Sequence, residues 1–317
     1  MFFPHLMAAA QTLDTGLVQG MIHSLLALSV IITLLSLNFP DLTIEGSFPF
    51  GAALGAVLLV DVGWNPVISL VIVFFAGSLA GLLTGSLHVK LGMSKLLSGI
   101  SVAAMLYSGS LLVMSGRASV SMLDKPNFFS LSEKADLWFN SFLSVPSRYF
   151  LHPATIITAA AVVLIFYSVS NRLLNSEFGV VLRGIGMNES GMRFYGRTTG
   201  GYKIAGVAFA NGLAALSGSL GSQFQGFADV NMGIGILVSS LVAVMLGLEL
   251  FSRFRISLNK PIMIISASLS GTIVYQVLMS GIMALGAPPI SLRFLSGFLL
   301  VVIIALGSSK REIAFKW

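Results

Sequence analysis

Residues 171–203 read NRLLNSEFGVVLRGIGMNESGMRFYGRTTGGYK, from Asn171 to Lys203. This polar stretch holds five of the chain's eighteen Lys and Arg: Arg172, Arg183, Arg193, Arg197 and Lys203. Long uncharged segments flank it and belong in a bilayer. A charged loop between two such segments sits in water, and its basic excess places that water on the cytoplasmic side. The stretch contains a short helix. Asn188 is a good N-cap, Glu189 adds negative charge to the first turn, and Arg193 lies one turn on, where it can pair with Glu189. Gly196 is a natural stop. Such a helix is roughly 10 Å long at 1.5 Å per residue and cannot span a membrane. It displays Met192, Phe194 and Tyr195. Two readings stay open: a docking knob for a cytosolic partner, or a loop helix lying on the protein's own surface.

Composition supports a membrane protein. Of 317 residues, 9% are charged, against about a quarter in soluble domains, and 56% are hydrophobic. That excludes a pair of soluble domains and leaves one transmembrane domain over residues 1–317. The net charge of +6 is spread over several short loops, as the positive-inside rule requires, and is no nucleic-acid footprint. Without cysteine the chain has no disulfide and no thiolate chemistry, and its four histidines lack metal-ligand spacing. No basic region precedes the first apolar run, so a cleaved signal peptide is not expected.

In order, the chain offers nine apolar segments. Residues 1–15 hold no Lys or Arg, which places the N-terminus outside. Segment one covers Gly16–Leu37, with Gln19 and His23 one turn apart for an interhelical hydrogen bond or a polar path. The run LNFPDLTIEGSFPFGAALGAVLLV (37–60) follows. Its apolar part, Phe48–Val60, is only thirteen residues, so a broken or half helix is expected. Asp41 and Glu45 are pathway groups or helix caps near the cytoplasmic interface. Segment three, Val67–Leu87, carries Gly77, Gly81 and Gly85 at four-residue spacing, a bare face for a neighbouring helix.

After a basic turn, His88–Lys95, segment four covers Leu96–Met114. The loop 116–150 has nearly balanced charge, with Arg117, Lys125, Lys134 and Arg148 against Asp124, Glu133 and Asp136, and is assigned outside with Trp138 as an interfacial anchor. Segment five, Ala154–Ser170, leads into the basic stretch. Segment six, Ile204–Leu220, has a second ladder, Gly206, Ala210, Ala214 and Gly218. Beyond it Gln223, Gln225, Asp229 and Asn231 are candidates for substrate contact or docking. Segment seven covers Met232–Leu250, where Glu249 can pair with Arg253. Segments eight, Ile262–Leu285, and nine, Ile290–Gly307, precede a basic tail, KREIAFKW (310–317). This layout puts thirteen Lys and Arg inside and five outside, with the C-terminus cytoplasmic.

The chain has no P-loop pattern and no H-E-x-x-H, and no Ser-His-Asp set with credible geometry. No catalytic residue and no metal site are expected. No acid or base lies deep in a confident span, so the energy for transport would come from outside the bilayer. An ion-coupled secondary transporter would need Asp41 or Glu45 at the midplane. A non-transporting scaffold is the third class.

The run FGVVLRGIGMNESGMRFYGRTTGGYKIAGVAFANGLAALSGSL (178–220) resembles the coupling-loop region of ABC importer permeases of the branched-chain amino acid and ribose type. Arg183, Gly186, Asn188, Gly191 and Gly196 occupy that family's Arg, Gly, Asn and small-residue positions. Asp41, Leu42, Thr43, Gly46 and Ser47 resemble a second family element, and the likeness extends over about Ser36–Gly307. The resemblance implies an all-α, polytopic transmembrane bundle of eight to ten spans with a type II-like importer core. It implies a homodimer in a bacterial inner membrane, with membrane lipid around it and no nucleic acid. A cytosolic ABC ATPase would touch Glu177–Arg197, including Glu189, Met192, Arg193, Phe194 and Arg197. ATP-Mg would sit on that ATPase, and this chain would bind no cofactor. A substrate-binding protein would deliver an amino acid, with sugars and nucleosides as the other cargoes.

Overall fold

Caps set the helix boundaries. Asn65 accepts a hydrogen bond from the Val67 N–H at 2.9 Å, Pro66 opens the helix, and Gly92 closes it at φ +69°. The computed structural model describes residues 2–123, 125–142, 152–258 and 260–307. Their helices are α1 (Phe2–Val30), α2 (Thr43–Val60), α3 (Pro66–Leu91), α4 (Lys95–Val113), α5 (Ser130–Phe142), α6 (Pro153–Asn175), α7 (Glu177–Phe194), α8 (Thr199–Gln225), α9 (Ile236–Arg253), α10 (Pro261–Ala284) and α11 (Pro289–Gly307). A π-helical turn, Ile31–Ser36, extends α1. The short strands β1 (Ser119–Ser121) and β2 (Phe227–Asp229) pair antiparallel, Ser119 opposite Asp229. The basic tail 310–317, Asp124, Arg148 and the Arg293 side chain lie outside the described residues.

Among the described residues eight helices are long and apolar enough to cross a membrane, and α11 adds a shorter apolar run, Phe294–Ile303. The polytopic all-α reading therefore holds. Several boundaries move. The basic stretch is largely helical: α6 continues to Asn175, and α8 starts at Thr199 and runs to Gln225. The second span is continuous from Thr43, so the expected half helix at Phe48 is corrected. Its break comes earlier, between Ser36 and Thr43. Pro49 is accommodated inside α2. It has no N–H to give the Glu45 carbonyl, and Gly233 packs against that carbonyl so closely that a Cβ would lie well inside 3.0 Å. Among the described residues no ion pair joins Glu249 to Arg253, another expectation corrected.

The chain forms two compact units. In the unit of Leu25–Asn127 and Ser168–Leu237, α8 is the centre and the most buried of the spanning helices. The ladder Gly77, Gly81 and Gly85 meets Ala215, Val207 and Ile204, so α3 runs antiparallel to α8 at a distance no side chain would allow. Ser47, Gly51 and Gly55 meet Asn211, Ala215 and Ser219, so α2 runs parallel to α8. In the unit of Met1–Ser24, Phe128–Tyr167 and Val238–Ala314, Gly16 and Gly20 of α1 pack on the backbone of α10. His23 bonds Gln276 across that seam, an interhelical hydrogen bond. Gly247 and Gly271 bring α9 and α10 equally close.

Candidate functional site

Helix α7 is two helices joined at Asn188, whose φ of −156° and ψ of 91° are not helical. Its Oδ1 accepts from the Gly191 N–H at 2.9 Å, which caps the second helix. Gly196, at φ +78°, ends the chain reversal after Tyr195. The second helix, from Glu189 to Phe194, is the short element the sequence indicates.

Two fastenings hold α7. The first is Gly186, which lies against the Ser36 carbonyl of the π-helical turn, where a Cβ would come well inside 3.0 Å. The backbone of α7 thus touches the backbone at the end of the first span. The second is Glu189. Its carboxylate accepts from Arg193 at 2.7 Å, from the Thr199 hydroxyl at 3.0 Å and from Lys203 at 2.6 Å. Burial alone would raise the Glu189 pKa, but bonds from Lys203, Arg193 and Thr199 outweigh it and hold the carboxyl down at about 2. Lys203 is 7% exposed and also lies 3.4 Å from His88 Nε2. Neither Lys203 nor His88 stands out in the sequence, because the chain of contacts from Glu189 through Lys203 to His88 depends on how α3, α7 and α8 assemble.

The short helix exposes two large rings at its C-terminal end, beside the exposed Ser190 and Arg193. Phe194 is 89% exposed and Tyr195 80%. Met192 folds back on Gly184 and is half-buried, so the expectation that it faces water is corrected. Met187, just before the kink, is exposed in its place. Arg197 is exposed. Arg183 points inward. It donates to the Leu174 carbonyl at 2.8 Å, and burial lowers its pKa. It closes the C-terminal end of α6, where carbonyls lack helical partners.

The other candidates separate into caps. Asp41 is buried. Its Oδ1 accepts from the Thr43 N–H at 2.9 Å, and its Oδ2 accepts from Asn211 at 2.6 Å. Ser47 in turn donates to Asn211 Oδ1 at 2.7 Å, and Thr43 and Thr84 share a bond of 2.7 Å. Asn211 lies about 18 Å along α8 from its first residue at 1.5 Å per residue, so Asp41 sits inside the bundle rather than at its edge. Glu45 accepts from the Gly235 and Leu237 backbones and so caps α9. Asp229 accepts from the Asn231 N–H at 2.8 Å in a local cap. Gln223 is buried in the last turns of α8 and bonded to Ser219, not part of an outer loop, while Gln225 and Asn231 are exposed. These groups do not converge on one pocket.

A polytopic bundle with glycine-lined seams and a small fastened helix at the α7 end has the build of a membrane transport permease. The chain belongs to the family described as branched-chain amino acid transport system / permease component, whose model matches residues 12–304. It is 34% identical over 290 residues, covering 92% of this chain and 89% of the relative, to a protein of Clostridioides difficile (strain R20291) named tyrosine transport system permease protein. It is 30% identical over 300 residues, covering 95% and 98%, to an uncharacterized protein of Rickettsia prowazekii (strain Madrid E). No solved structure matches the chain. It is a multi-pass membrane protein of transport-permease type.

Proposed function

We propose that this chain is the membrane-spanning subunit of an ATP-driven importer, and that α7 is where the motor acts. The observation that supports this is the double fastening of a short helix whose outer face is bare. Met187, Phe194 and Tyr195 stand ready for a cytosolic ABC ATPase, which would hold the ATP-Mg; the chain itself needs no cofactor. Gly186 and Lys203 would pass the movement to the first span and to α8. The glycine seams would let packed helices shift as rigid bodies. In this reading the stretch 171–203 and the C-terminus face the cytoplasm, and the N-terminus and residues 116–150 face outside. A substrate-binding protein would deliver cargo on that outer side to a homodimer of permeases. The relative named for tyrosine makes an aromatic amino acid the first cargo to test, ahead of branched-chain amino acids, sugars and nucleosides.

The test is co-purification and uptake. Replacing Phe194 and Tyr195 together by Ala should strip the ATPase from membranes that still contain the folded permease. Unchanged association and uptake would defeat the proposal.

One observation favours a second reading. Asp41 lies deeper than the sequence suggests, where an ion-coupled carrier keeps its titrating group. Uptake that stops on collapse of the proton gradient and survives ATP depletion would support that reading.

A further inference from the structure

Helix α5 is amphipathic in the inverted sense. Its buried side carries the polar groups Ser132, Asp136 and Asn140, one turn apart in succession. Its exposed side carries Leu131, Ala135, Trp138 and Phe142, at helical spacing. Leu131 is 82% exposed, Trp138 68% and Phe142 73%, and the Trp138 and Phe142 rings stack at 5.7 Å. In water alone such a stripe would be a liability.

The buried side explains why the helix is held this way round. Asp136 accepts from the Ala154 N–H at 2.6 Å, from the Thr155 N–H at 3.1 Å and from the Thr155 hydroxyl at 2.6 Å. These are the first free N–H groups of α6. Asn140 donates back to the Asp136 carbonyl at 2.7 Å, and Ser132 donates to the Phe129 carbonyl at 2.8 Å. The middle of α5 thus crosses over the start of the span Pro153–Asn175. A second tie marks the same level. Asp14, two residues into the span Thr12–Ser36, accepts from the His152 N–H at 2.9 Å and from its ring at 2.6 Å.

We propose that α5 is an interfacial membrane helix, with its apolar stripe seated at the headgroup–acyl boundary of the leaflet where α6 begins. Three observations select lipid as the occupant. The helix is pinned at the level where two spans start. Just below it, α6 exposes Ile157, Leu164 and Ile165, so the apolar surface continues from the spanning helix. The stripe also has an interfacial composition, with Trp138 and Phe142 beside Leu131 and the exposed Lys134 on its margin, where its ammonium reaches phosphate. Seated there, α5 keeps the first turn of α6 at a fixed depth.

The experiment uses the full chain, which has no native cysteine, in vesicles of phosphatidylethanolamine and phosphatidylglycerol. Nitroxide labels are placed singly at Leu131→Cys, Trp138→Cys and Phe142→Cys. Ile165→Cys serves as a lipid-facing reference and Tyr195→Cys as a water-facing one. The α5 labels should collide with oxygen in preference to a water-soluble nickel complex, as the Ile165 label does. Preference for the nickel complex would overturn the proposal, because the stripe would then face water. Shielding from both would also overturn it, because a second copy or another protein would then cover the stripe. A second readout avoids changing the stripe. With Trp64→Phe and Trp317→Phe, the fluorescence of native Trp138 should be quenched by brominated lipid and protected from iodide. This proposal needs only the membrane, so it stands or falls separately from the ATPase reading.

Discussion

Glu189 and Lys203, fourteen residues apart in the chain, meet at 2.6 Å and fasten the exposed helix of α7 to the first turns of α8. The pair is asymmetric. Lys203 is 7% exposed, whereas the Glu189 side chain is 29% exposed and keeps Arg193 as a second partner. Neutralising the carboxylate leaves the buried ammonium beside neutral groups only, the Gln carbonyl and His88 Nε2, whereas removing the ammonium leaves Glu189 still bonded to Arg193 and Thr199. Glu189→Gln should therefore cost more than Lys203→Met, on the order of 2 kcal/mol for a charge-assisted bond at this exposure. The double variant should cost less than the sum of the two. A double-mutant cycle on unfolding in detergent checks this, and uptake should fall more steeply than stability.

The same carboxyl gives a pH dependence with a definite sign. Its folded pKa is about 2, below the ordinary 4.5. Stability from this group is therefore present in full above 4.5 and is lost as pH falls through 2. Lys203 and Arg193 face it, and His88 lies behind Lys203. Hydrogen exchange of residues 189–199 should quicken as pH falls below 4.5, beyond the intrinsic trend. Glu189→Gln should remove that excess.

What was legible in the sequence follows what acts locally. The Asn188 cap, the Gly196 stop and the Gly77–Gly81–Gly85 face are set by neighbours within a turn or two, and the structure has each of them. Span limits were harder to read. Charge marks where water begins, but a helix continues past that point, as α6 does to Asn175. The break after Ser36 was misplaced because Asp41 is held by Asn211, 170 residues away. Pro49 is tolerated inside α2 because the carbonyl it leaves free is covered by Gly233 from a distant turn, which local sequence does not show. Glu45, open between pathway group and helix cap, is a cap, and the sequence could not show which helix because the N-terminus it caps belongs to α9.

Glycines in the coupling region should not respond alike. A Cβ at Gly186 would meet the Ser36 carbonyl, which is backbone and cannot step aside. Gly186→Ala should cost about 1–3 kcal/mol of overpacking and disturb uptake. A Cβ at Gly191 would lie 3.1 Å from the Asn188 amide nitrogen, a side-chain contact that a shift of a few tenths of an ångström relieves with the cap kept. Gly191→Ala should be near neutral, because alanine regains up to about 1 kcal/mol of helix propensity. Gly196→Ala meets no atoms but forces a side chain into φ +78°, costing about 1–2 kcal/mol. Thermal unfolding in detergent ranks the three.

Asp41 separates the two transport readings. As a pin it needs its acceptors, one for the Thr43 N–H and one for Asn211. An asparagine there can keep the first. For the second, Asn211 must turn its amide, and Ser47 can follow by accepting where it now donates. The turned Asn211 would lose its bond to the Val207 carbonyl, at 3.0 Å. Asp41→Asn should therefore cost about one hydrogen bond, roughly 1 kcal/mol, and retain most uptake. Asp41→Leu strands the Thr43 N–H and one of the two Asn211 amide hydrogens, the other keeping the Val207 carbonyl; at about 1–3 kcal/mol for each it should fail in folding and uptake together. A titrating carrier residue behaves differently. It tolerates Asp41→Asn in stability but loses transport, because the amide cannot take and release a proton. Uptake measured beside unfolding in the asparagine variant distinguishes a folded, active pin from a folded, silent carrier.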